Sequence, residues 1–215
     1  SKTKVTKRIK KETPLMILKE NQKVMNTIKG LKYTSTTKEV TVDGSTTYTE
    51  MGEEHFNPGI SHFTNTLNKE YYYDERYVYT KQDGQWYKSR NSNGNVFVTN
   101  VFPDLVNNLV KYLGTKEQAP GITFQKIGND YVITTDLLIV KQPSMTEKEF
   151  AVFKIKNLSS KQVITIDSNT FEPKKFEDHT QSRSNVKRDV EMKLTPYNTP
   201  ISIPASVLKS SKPAQ

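Results

Sequence analysis

No cysteine occurs in the 215 residues, which excludes a disulfide framework, a thiolate metal site and a cysteine nucleophile. No apolar run approaches the roughly 20 residues of a membrane-spanning helix. The first residues also lack the apolar core of an export signal. The expectation is a cytosolic chain, or a mature one that follows a processed signal. Histidine is scarce: His55, His62 and His179. No HExxH, G-x-S-x-G, P-loop or dinucleotide fingerprint is present, so the sequence offers no catalytic residue, metal site or cofactor. Glu53, Glu54 and His55 read better as a solvated acidic loop than as a metal site.

Acidic charge is missing from one place. Residues 1–11, SKTKVTKRIKK, hold six of the chain's basic residues and no acidic one, although the formal net charge of the whole is only +9. The excess is therefore mainly a tail, and short like-charge runs are usually solvated. Hydrophobic residues make up 33% of the chain, a figure that includes 11 tyrosines. Threonine and tyrosine are abundant instead, and both favour strands. The composition implies a sheet with much of one face in water.

Periodicity gives the element order. Thr13 suits an N-cap and Pro14 the first helical position of TPLMILKENQKVMNTIKGL. Leu15, Leu18, Met25 and Ile28 fall near one face of that helix, and Gly30 is its expected stop. The period then changes to two over LKYTSTTKEVTV, STTYTEMG and ISHFTNTLN, with turns at Asp43-Gly44 and Asn57-Pro58-Gly59. More strands follow in residues 70–90, including a hairpin across Asp83-Gly84, and NVFVTNV reads as another. FPDLVNNLVKYLG is a second helix. GITFQKIGNDYVITTDL is a hairpin across Gly128-Asn129. A third helix starts at Ser144 with S-M-T-E as its capping box, turning Phe150, Phe153 and Leu158 inward. Long strands close the chain before a polar tail. Strands in runs joined by short turns imply an antiparallel sheet with its helices on one face.

Residues 70–90, EYYYDERYVYTKQDGQWYKSR, concentrate six tyrosines and the only tryptophan. If the strand is continuous, Tyr71, Tyr73, Tyr77 and Tyr79 share a face; if Asp74-Glu75 is a turn, the faces must be assigned separately. A base-stacking surface pairs its aromatics with basic residues. Here Glu70, Asp74, Glu75 and Asp83 would repel phosphate, so no specific nucleic-acid partner is expected. Periodicity alone leaves two readings open: rings that fill a β-core, or rings that line a cavity beneath the helices.

The helix followed by LKYTSTTKEVTV, then EYYYDERYVYTKQDGQWYK, VITIDSNTFEPKKFEDHT and VEMKLTPYNTPISIPASV, resembles the LolA/LppX-like superfamily of bacterial lipoproteins and lipid carriers. More narrowly, it is similar to the cell-surface lipoproteins of Gram-positive bacteria that share that fold. The resemblance implies an α+β fold: a strongly curved antiparallel β-sheet, an incomplete barrel, with about three helices on its concave side. It divides the chain into a basic tether at 1–12, one domain at 13–208 and a flexible tail at 209–215. It implies export, attachment to the cell membrane through a lipidated cysteine ahead of Ser1, and a lipid or other amphiphile held in an apolar cavity without enzymatic activity. Helix residues Leu105, Leu109, Leu113, Phe150 and Phe153 are then expected to look across at Tyr73, Tyr79, Trp86, Phe124, Tyr131 and Ile133. The alternative is the same fold with a filled core, serving as an interaction module for an envelope protein.

Overall fold

The computed structural model describes residues 11–94 and 96–214, so the expected tether at 1–12 falls almost wholly outside the described residues. The first helix, α1 (Pro14–Met25), begins as expected, with the Thr13 side chain accepting from the Met16 amide at 3.2 Å. It stops four residues short of the expected end. Asn26 is its C-cap, and Gly30 opens the first strand.

Six strands follow: β1 (Gly30–Thr41), β2 (Gly44–Phe56), β3 (Gly59–Asn65), β4 (Glu70–Tyr73), β5 (Tyr77–Gln82) and β6 (Gln85–Arg90). The β5–β6 hairpin turns on Asp83 and Gly84, both at positive φ (50° and 77°). That is the geometry of a two-residue turn whose twist matches the strands. Asp74-Glu75 is indeed a turn. Asp74 Oδ1 accepts the amides of Arg76 and Tyr77, each at 2.8 Å.

The stretch NVFVTNV is not a strand. Val98–Asn100 form a short 3-10 turn that runs into α2 (Val101–Leu113). Gly114, at φ 61°, ends this helix where the sequence placed its stop. Then come β7 (Ile122–Ile127), β8 (Asp130–Asp136), α3 (Glu147–Lys156), β9 (Asn157–Asp167), β10 (Pro173–Ser182) and β11 (Lys187–Pro196). The capping box of α3 sits two residues later than expected, with Thr146 as N-cap and Glu149 as its reciprocal partner. Leu158 is a strand residue and 49% exposed. A final helix, α4 (Ala205–Ser210), leads into β12 (Lys212–Pro213), which places residues 212–213 beside β6.

All twelve strands form one curved, unclosed sheet in the order β12-β6-β5-β4-β3-β2-β1-β11-β10-β9-β8-β7. Every pairing is antiparallel except the short β12–β6 contact. The β1–β11 pairing joins the first and last long strands at the middle of the sheet and so ties its two halves together. Antiparallel meanders need only short turns, and the sequence supplies them. The expected α+β incomplete barrel is the fold observed.

The core lies on one face. Leu15, Ile17 and Leu18 of α1 and Phe102, Val106, Leu109 and Leu113 of α2 pack with Leu31, Tyr33, Ile133, Ile164, Ile166, Phe176, Met192 and Leu194. The strand residues are in register, since Ile133 opposes Ile164, Ile164 opposes Phe176, and Phe176 opposes Met192. Each such side chain contributes about 1.5–3 kcal/mol when fully buried. The third helix contributes little here. Phe150 is its only buried residue, while Val152 and Ile155 are 42% and 70% exposed.

Candidate functional site

Between α2 and the β8–β11 part of the sheet the packing opens into a cavity of about 740 Å³, a size typical of ligand pockets. One wall is α2, whose Val101, Leu105, Leu109 and Tyr112 recur at intervals of three and four residues and share a face. A second wall is the connection Leu137–Ser144. The Leu137 amide donates to Ser160 O of β9 at 2.9 Å, and Lys141 Nζ donates to Met145 O at 2.6 Å. The connection is therefore tied to β9 at its start and to the approach to α3 at its end. The floor is the sheet itself, through Thr135, Gln162, Phe176, Asp178, Val190 and Arg188.

The strand register grades this floor. Nearest α2 is the apolar row Ile133–Ile164–Phe176–Met192. Two residues along each strand, hence on the same face, comes Thr135–Gln162–Asp178–Val190. This second row is mostly polar. Gln162 Nε2 donates to Asp178 Oδ2 at 3.1 Å, and Thr180 Oγ1 donates to Asp178 Oδ1 at 3.3 Å. Leu105, Leu109, Leu137, Val140 and Phe176 keep the remaining surface apolar, and the exposed Lys111 and Arg188 stand on the rim.

The residues singled out from sequence divide into four groups. Leu105 and Leu109 line the cavity. Leu113, Tyr131 and Ile133 belong to the packed core, with Phe124 against it. Phe150 and Phe153 are not among the residues that line the cavity. The aromatic stretch splits at the Asp74-Glu75 turn. Tyr71 and Tyr73 share the helix-facing side with Phe63 and Tyr33, through the pairs Tyr71–Phe63, Phe63–Gly52 and Gly52–Tyr33. Tyr72, Tyr79 and Trp86 lie on the opposite side, where Tyr72 stacks on His62 at 4.1 Å and lies 5.7 Å from Trp86. Tyr79 is 3% exposed on that side, so neither it nor Trp86 can meet a ligand in the cavity. The C-terminal return runs from Tyr197, whose ring receives Lys32 Nζ at 4.6 Å, to Ser210 O, which accepts from Gln85 Nε2 at 2.8 Å.

The helix-facing tyrosines are organised around carboxylates. Tyr33 and Tyr48 donate to the two oxygens of Glu50, at 2.7 and 3.0 Å. Burial first, then Glu50, pushes the Tyr33 phenol well above its ordinary range. Glu54 is 1% exposed. It accepts from the amides of Val98 (2.9 Å) and Thr99 (2.8 Å) and from the hydroxyls of Ser61 (3.3 Å) and Tyr73 (3.2 Å). Burial raises its pKa in spite of these bonds, which pull it down. Glu54 therefore fixes the start of the helix that walls the cavity.

The expected acidic loop at 53–55 is thus part of β2. Neighbouring strand residues face opposite sides, so Glu53 turns outward to His62 (3.5 Å) while Glu54 turns in. The missed signal was parity: Glu54 shares its side with Gly52 and Glu50, opposite Leu31 and Tyr33 of the core.

No family model matches the chain, and no curated protein matches it in sequence. Among solved structures it is similar to the lipoprotein LppX of Mycobacterium tuberculosis, with a TM-score of 0.49 and 10% identity over 89% of this chain and 98% of that one. It is similar to LprF of Mycobacterium bovis, with a TM-score of 0.38 and 12% identity over 89% and 95% of the two chains. It is similar to a LolA superfamily protein of Nitrosomonas europaea, with a TM-score of 0.34 and 9% identity over 88% and 96%.

Proposed function

We propose that this is an extracytoplasmic, non-enzymatic domain that binds a lipid or other amphiphile in the cavity between α2 and β8–β11. The observation that carries the reading is a preformed space of about 740 Å³ with an apolar lining at one end and polar groups at the other. Burying eight methylenes of an acyl chain there contributes roughly 6 kcal/mol at about 0.8 kcal/mol each, before the costs of association. A cavity already open in the free protein keeps those costs low. The filled core under α1 and α2 and the cavity beside it coexist, so the domain need not choose between packing and binding. The reading includes a membrane anchor ahead of Ser1, with residues 1–12 as a basic spacer of at most about 40 Å.

Nile red, a neutral dye that brightens in apolar surroundings, is the probe of choice; Trp86 is not, because it faces away from the cavity. The expected result is saturable brightening with the wild type. Leu109→Trp, which places an indole in the cavity, should weaken it at least about tenfold while the circular dichroism stays native, the loss of roughly 1.4 kcal/mol of binding. Absence of dye binding by the wild type would end this reading. An unchanged affinity in Leu109→Trp would move the binding elsewhere.

A further inference from the structure

We infer that the ligand is a neutral amphiphile carrying a hydroxylated head joined by an ester-like carbonyl, of the monoacylglycerol kind, rather than a free fatty acid or a plain hydrocarbon. This rests on the binding reading above and assigns the chemistry of its polar end. Two groups in the polar row carry it. Thr135 lies in the cavity wall, is 1% exposed, and its hydroxyl has no hydrogen-bond partner among the described residues. Buried hydroxyls are nearly always paired, so one left open beside a cavity awaits a partner, and its O–H is a donor that a ligand carbonyl can meet.

The second group is Asp178. Its carboxylate lines the same cavity and, among the described residues, forms no ion pair. Among the described residues it accepts only from Gln162 and Thr180. Two carboxylate oxygens offer about four acceptor sites, so capacity remains, and it can be met only by a donor. A ligand carboxylate at this place would face a like charge.

Thr135 and Asp178 are separated by one strand, since both pair with Gln162. At about 4.8 Å between strands they stand roughly 10 Å apart along the row. A single hydroxyl cannot serve both. A head that presents an acceptor toward β8 and donors toward β10 can, and an ester carbonyl followed by a diol has that order. Its acyl chain then runs onto Leu105, Leu109 and Phe176, where the lining is apolar. The competing arrangement places a fatty-acid carboxylate on the rim cations Lys111 and Arg188, and it leaves both interior groups unused.

The test is displacement of Nile red by monooleoylglycerol, oleic acid and methyl oleate, all below their aggregation concentrations. Monooleoylglycerol should displace the dye at about tenfold lower concentration than either of the others, the discrimination expected from one or two net hydrogen bonds. Thr135→Val, which keeps the shape and removes only an unpaired hydroxyl, should retain the native melting temperature while shrinking that preference, read against the variant's own dye affinity, to about threefold or less. Asp178→Asn should do the same, and Thr135→Ser should restore the preference. Oleic acid displacing as well as monooleoylglycerol overturns the inference in favour of the rim cations. So does a preference that survives both variants. Neither outcome touches the cavity reading, which fails only if the dye itself does not bind, and the inference then fails with it.

Discussion

Glu54→Ala is expected to lower the domain's stability by about 3–5 kcal/mol, since each buried donor left unpaired costs about 1–3 kcal/mol. Three donors lose their acceptor at once, the Val98 and Thr99 amides and the Ser61 hydroxyl, while the Tyr73 hydroxyl keeps Val96 O at 3.0 Å. Two of these are the leading amides of the 3-10 turn that feeds α2, and helix starts leave such amides without internal partners. Glu54→Gln keeps one accepting oxygen and should lose about half as much. The sign of the pH dependence follows from burial, which raises the folded-state pKa above the unfolded one. The folded protein then holds the Glu54 proton more tightly than the unfolded chain. The stability this supplies is full below the unfolded pKa and is lost as pH rises through the folded one. Urea titrations from pH 4 upward should show this falling component in the wild type and its absence in Glu54→Gln. A wild-type component that rises with pH over that window would instead mean that the four hydrogen bonds outweigh burial. Because Glu54 anchors the cavity wall, dye affinity should fall with the stability of α2 in the alanine variant, below any loss of the global fold.

What the sequence made legible was governed by local rules. Thr13 and Pro14 before an apolar-periodic run can only start a helix well, and they do. Asp83-Gly84 supplies two residues that tolerate positive φ, which is why that hairpin could be placed to the residue. Element order and sheet type followed from such signals. The failures occurred where a tertiary partner outweighed a local preference. NVFVTNV has strand composition, yet Glu54, 44 and 45 residues away, captures the Val98 and Thr99 amides and winds the segment into a helix start. Leu105 and Leu109 could be placed on the inward face of α2 from its period, because an apolar helix face must meet something. The polar half of the cavity could not. Thr135, Gln162 and Asp178 lie on three strands and look like ordinary solvent-facing residues, and only the pairing register puts them in one row. Trp86 and Tyr79 misled for a related reason. Alternation tells which residues share a side but not which side the helices cover.

Gly30 shows how far the local reading can mislead, and its replacement is the other large effect expected. A glycine just past an amphipathic run reads as a helix stop, but α1 has already ended at Met25 and Gly30 is paired with His55 in β1–β2. The reason for glycine here is space. A Cβ would stand 2.3 Å from Glu54 O and 2.8 Å from Tyr197 O, both backbone atoms. Three stretches of chain meet at this point: the first residue of β1, the end of β2 that carries the Glu54 anchor, and the C-terminal return, whose Tyr197 amide donates to Gly30 O at 2.9 Å. Neither contact can be relieved by turning a side chain. Gly30→Ala should therefore reach or exceed the upper end of the usual overpacking cost, about 3 kcal/mol. Gly128→Ala is the matched control. Gly128 has φ 58° and nothing within 4 Å of its would-be Cβ, so only the left-handed backbone penalty applies, roughly 1–2 kcal/mol. Urea denaturation of the two variants separates crowding from conformation. A Gly30→Ala loss no larger than that of Gly128→Ala would show that the β1–β2 pair and the C-terminal return can part without cost. In that case Glu54 would not be held rigidly enough to anchor α2, and the stability loss expected for Glu54→Ala should shrink with it.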